Sequence, residues 1–150
     1  MQQASSFATQ KQAKMKTTNY FNTFIEIAVD CPVTKAEIPP TKGDKKTVAN
    51  LQYDLISANP YKYTSDEIIF QLHADRNDIS ESELEMERNM FFSKGQPCFR
   101  SSPLAKRYGW GIHSNSEGKI AIIAVDSNEY QKLLKDNNLK ILKAMRSKKE

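Results

Sequence analysis

Six residues with anion-binding chemistry stand within a short stretch: Arg100, Ser101, Ser102, Lys106, Arg107 and His113. A guanidinium offers carboxylate or phosphate a planar fork of donors, and serine hydroxyls can complete the set. These six form the candidate ligand-binding group. Around them, Tyr108, Trp110 and Ile112 alternate with Arg107, Gly109, Gly111 and His113. That period of two predicts a strand with one anchoring face and one face nearly bare of side chains. A backbone or a ligand could lie against the bare face. On such a strand Arg107 and His113 are about 20 Å apart, so together they suit a longer ligand or a partner surface better than one small anion.

A second chemistry is a thiol one. Cys98 and His113 are the candidate catalytic pair, with Cys31 and His73 as the other thiol and imidazole, and Arg100 adds positive field near Cys98. No nucleophile motif surrounds either cysteine. Cys31, Cys98, His73 and His113 are also of zinc-ligand type, but no two are close in sequence, so no metal site and no cofactor are expected. The acids Glu81, Glu83, Glu85 and Glu87 wind around a predicted helix and read as a solvated face.

The charge is uneven along the chain. Residues 1–46 hold seven lysines against four acids, residues 47–92 three bases against nine acids, and residues 93–150 twelve bases against five acids. A basic C-terminal third favours anionic partners: a small molecule, an acidic protein, or nucleic acid through Lys132, Lys135, Lys140, Lys143, Arg146, Lys148 and Lys149. No nucleic-acid motif accompanies those lysines. No apolar run reaches membrane-spanning length and no segment resembles a secretory signal, so a cytoplasmic protein with two free thiols is expected.

The 150 residues, 39% hydrophobic and 27% charged, suit one domain with its own core. Residues 1–14 are polar and aperiodic and read as a disordered leader, leaving 15–150 as the folded domain. Strands are expected at about 20–29, 107–113 and 119–125, the last two joined as a hairpin through a polar turn ending in Gly118. The lysine- and proline-rich segment from Asp30 to Lys46 reads as a long loop, and residues 93–105 as another. Helices are expected at 47–58, from Thr64, from Ser80 to about Phe92, from Ser127 or Asn128 to Lys135, and from Leu139 to Ser147. Thr64-Ser65-Asp66-Glu67 and Ser80-Glu81-Ser82-Glu83 both fit capping boxes. The fold class is α+β: an antiparallel sheet of at least three strands with helices packed on one side.

Several stretches also resemble a family of small bacterial proteins of unknown function. They are Tyr20-Phe21-Asn22-Thr23-Phe24-Ile25, Asp30-Cys31-Pro32-Val33, Asn59-Pro60-Tyr61-Lys62-Tyr63-Thr64, Phe92-Ser93-Lys94-Gly95-Gln96-Pro97-Cys98 and Lys106-Arg107-Tyr108-Gly109-Trp110-Gly111-Ile112-His113. Ala144-Met145-Arg146-Ser147-Lys148 closes the match. The resemblance implies a bacterial cytosolic protein and carries no catalytic residue or cofactor with it. The function expected from the residues is non-enzymatic binding of an anionic ligand or partner through the 93–107 loop and the hairpin. A small thiol- and histidine-dependent enzyme is the alternative.

Overall fold

The computed structural model describes residues 16–147, so the expected leader lies outside the described residues. Four strands, β1 (Thr23–Glu26), β2 (Trp110–Ser114), β3 (Ile120–Ala124) and β4 (Lys140–Lys143), form one sheet in the order β3-β2-β1-β4. β2 is antiparallel to both β1 and β3, whereas β4 runs parallel to β1. The α+β class holds, and the sheet is mixed rather than antiparallel throughout.

The extra strand explains the difference. Leu139, Leu142 and Met145 at helical spacing predict a helix, yet Lys140–Lys143 is extended and pairs Ile141 with Phe24 and Leu142 with Ile25. Ile141 packs into one core with Phe24, and Leu142 into the other with Ile25. A four-residue strand with partners on both faces lacks the alternation that would reveal it. Its pairing with β1 overrides the local period.

The helices are α1 (Val48–Ala58), α2 (Ser65–Arg76), α3 (Leu84–Ser93), α4 (Pro103–Arg107) and α5 (Asn128–Leu134). The Thr64 capping box forms as expected: its side chain accepts the Glu67 amide, and Glu67 accepts the Thr64 amide. Thr47 and Asn50 make an equivalent box at α1. At Ser80 the expected box is replaced. Its hydroxyl donates to the Glu83 carboxylate, residues 81–83 form a 3-10 turn, and α3 begins only at Leu84.

Alternation along the strands divides the interior in two. Ile25, Ile112 and Ile120 face α1, α2 and α4 through Ile56, Ile68 and Leu104. Phe24, Ala121 and Ile123 face Tyr130 of α5, which meets Phe24 edge-on at 4.9 Å between ring centroids. Helices α1, α2 and α4 thus share one side of the sheet, and the seven-residue α5 covers the other. Outside them, α3 packs on α2 through Phe70, Ala74 and Phe92. The start of the described chain is clasped to α2. The buried Asp66 carboxylate accepts the Thr17 hydroxyl, the Thr18 amide and the Thr18 hydroxyl, all within 2.8 Å.

Candidate functional site

The glycine-bearing strand is not an open platform. A Cβ built on Gly111 would stand 2.6 Å from Phe24 Cζ and 2.8 Å from Tyr130 Cε2, so two buried aromatic rings occupy the face expected to be bare. Gly109 has φ +80°, and a Cβ added to it would meet the Lys35 carbonyl oxygen, the Ala36 Cα and the Val33 side chain, each at 3.1 Å. The 30–46 loop is strapped there by Trp110 Nε1 donating to the Glu37 carbonyl and by the Glu37 amide donating to the Tyr108 carbonyl. Glycine is needed at both positions for packing, and at Gly109 also for the left-handed backbone.

The six candidate ligand residues part company accordingly. Ser102 caps α4 by accepting the Leu104 amide, with Pro103 at the first helical position, so Lys106 and Arg107 fall in the last helical turn rather than on a strand. Of the two, only Arg107 belongs to the expected strand, and the charge of both suits the helix dipole. Arg100 Nε donates to the Lys143 carbonyl at 2.7 Å while its own carbonyl accepts the Met145 amide, which clamps the end of β4. Ser101 donates to Met145 Sδ. His113 lies on the α5 side of the sheet, paired in register with Phe24, and its Nδ1 meets the Tyr61 hydroxyl at 2.8 Å. Burial lowers its pKa against the opposing pull of Glu129 and Asp136.

Cys98 is on the other side. Its Sγ lies 3.2 Å from the Tyr20 hydroxyl, whose pKa is pushed up to about 12 by burial first and by the thiol contact second. The sheet therefore stands between Cys98 and His113. The geometry does not bring the candidate catalytic pair together. Among the described residues no group of three or more His, Cys, Asp or Glu is placed to hold a metal ion.

What the structure does bring together is a cleft of about 350 Å³ between α1, α2, the end of α3 and the 97–103 turn. This is near the lower end for small-molecule pockets. Val48, Ile69, Leu72, Phe91 and Phe99 give it apolar walls. Its polar lining includes Gln52, His73, Arg76, Cys98, Ser101 and Ser102. Val48, which borders this hollow, is 40% exposed. Arg76 has no ion pair among the described residues. The His73 ring stacks on Phe91 with centroids 4.4 Å apart, and its Nδ1 lies 3.3 Å from Asn77 Nδ2. Ser102 Oγ donates to Gln52 Oε1 at 2.6 Å.

Of the expected ligand residues, Ser101 and Ser102 line the cleft and the other four do not. Gln52 and Arg76 escape sequence reading as site residues. Val48 and Gln52 share one face of α1, and Leu72 and Arg76 share one face of α2, each pair four apart. Those stripes are visible in the sequence, but nothing in it says that they face one another across a hollow.

A protein-family model matches residues 15–150, described as a family of unknown function (DUF6157). The chain belongs to that family. No curated protein and no solved structure matches it.

Proposed function

We propose that the protein binds a small anionic ligand with an apolar body in the cleft between α1, α2 and the 97–103 turn, without transforming it. The observation that carries this reading is Arg76, a guanidinium with no ion-pair partner among the described residues, on the rim of an apolar hollow. A charge-assisted hydrogen bond from Arg76 would contribute about 1.5–3 kcal/mol, and the walls of Ile69, Leu72 and Phe91 would remove the ligand's hydrocarbon part from water. Two free cysteines suit a cytoplasmic setting for this binding. Thiol catalysis finds less support, because Cys98 meets a tyrosine hydroxyl, His113 lies across the sheet, and His73, which lines the same cleft as Cys98, is engaged by Asn77 and Phe91.

Calorimetric titration with hexanoate, a carboxylate with a short apolar chain, tests the reading. The expected result is saturable one-to-one binding that weakens about 10- to 100-fold in Arg76→Ala, with Arg107→Ala indistinguishable from the parent. Absence of binding, or a loss confined to Arg107→Ala, would refute it.

A further inference from the structure

Helix α2 borders a second hollow on its other flank, a cavity of about 310 Å³ between α2 and α3. None of its lining residues lines the cleft described above. We propose that this second cavity binds an α-amino acid with an apolar side chain, held as a zwitterion.

Its walls follow from helical spacing. Glu67, Gln71 and Asp75 recur every four residues and share one face of α2, as Leu84 and Arg88 share one face of α3, and all five line the cavity. Phe70 and Ala74, each 8% exposed, join α2 to α3 by packing with Phe92, and they give the cavity its apolar floor. The opposite charges on the two walls do not close on each other. Arg88 has no ion pair among the described residues. Its guanidinium is held over the Phe92 ring instead, 4.9 Å from the centroid, and Phe92 is only 1% exposed and so fixed in place. On the facing wall Glu67 is anchored by accepting the Thr64 amide at 2.9 Å, and Asp75 has no ion pair among the described residues.

This charge pattern distinguishes the cavity from the cleft, whose lining holds Arg76 and no acid. A lone carboxylate entering the second cavity would face two carboxylates along with the guanidinium. A lone ammonium would face the guanidinium along with the acids. Like-charge juxtaposition disfavours both. A zwitterion matches both walls: its carboxylate accepts from Arg88, its ammonium donates to the acids of α2, and its side chain covers Phe70, Ala74 and Leu84. The volume is near the lower end for small-molecule pockets, in keeping with a ligand of that size.

Calorimetric titration at about pH 6.5, where an α-amine is charged, tests the proposal with three probes. Leucine carries both charges, leucinamide lacks the carboxylate, and N-acetylleucine lacks the ammonium. Leucine should bind saturably and at least about tenfold more tightly than either analogue. Arg88→Gln should erase the preference over leucinamide while keeping that over N-acetylleucine. The double variant Glu67→Gln with Asp75→Asn should do the reverse. Glutamine at position 67 can still complete the Thr64 capping box, so the start of α2 is retained. A merely structural role for these residues would weaken all three probes alike and would not give this crossed pattern. Excess hexanoate should leave leucine binding unchanged, because it brings no ammonium. Absence of saturable leucine binding, equal affinity for the three probes, loss of the crossed pattern, or displacement by hexanoate would overturn the proposal. The cleft reading is tested separately, through Arg76.

Discussion

Adding one methyl group at Gly111 separates a packed interior from an open binding strand. The new Cβ would sit 2.6 Å from Phe24 Cζ, 2.8 Å from Phe24 Cε1 and 2.8 Å from Tyr130 Cε2, all closer than real carbon atoms approach. Phe24 is fully buried and Tyr130 is 3% exposed, so neither ring has free space into which to withdraw. Overpacking of this kind costs about 1–3 kcal/mol. The lost chain entropy of a strand glycine returns at most about 1 kcal/mol on replacement by alanine. The net expectation for Gly111→Ala is a loss of about 1–2 kcal/mol. At a urea dependence of about 2 kcal/mol per molar, the midpoint should fall by roughly 0.5–1 M with an unchanged slope. Had the glycine face been open, the substitution would be neutral or stabilising. An equal or higher midpoint would refute the packing described for this strand.

Other expectations follow from single contacts. Tyr130 is pushed up to about 12 chiefly by burial, so the folded state keeps its phenol protonated where the unfolded chain, titrating near 10, does not. Its contribution, up to about 3 kcal/mol, is complete below pH 10 and is lost as the pH rises through 12; Tyr130→Phe should flatten the alkaline limb of a stability–pH profile. Asp66→Asn removes a charged acceptor serving Thr17 and Thr18, and should cost about 2 kcal/mol and expose the Thr18 amide to hydrogen exchange. Arg100→Ala should speed exchange at the Ala144 and Met145 amides while leaving hexanoate affinity unchanged, since Arg100 holds β4 and does not line the cleft.

Local signals in the sequence carry much of the fold. The Thr64 box, the Asn59-Pro60 stop of α1 and the hairpin turn at Gly118 all act within a few residues, and the structure forms each of them. Missed features depend on distant partners. Lys140–Lys143 becomes a strand because β1 offers a free edge, which no property of residues 139–147 announces. The Ser102-Pro103 pair is a helix start in local terms, yet the α4 it opens is only five residues long, and it straddles the end of the expected 93–105 loop and the start of the expected 107–113 strand. The site suffers most from this limit. Charge and residue type single out Arg100 and Arg107, but one is spent on a backbone carbonyl and the other completes a helix. Arg76, with no ion pair among the described residues, sits in the acid-rich 47–92 segment, where composition does not single it out. Opposing stripes on α1 and α2 become a cleft only when packing on the sheet sets their spacing.

The central claim, that this cleft is where a small carboxylate is held, is tested most directly by a nitrogen-resolved NMR titration of the assigned protein with hexanoate. The account predicts saturable shifts centred on Gln52, His73, Arg76 and the 98–102 turn, with Gly111 and His113 undisturbed on the far side of the sheet. Shifts centred on Arg107 to His113, or none that saturate, would contradict it.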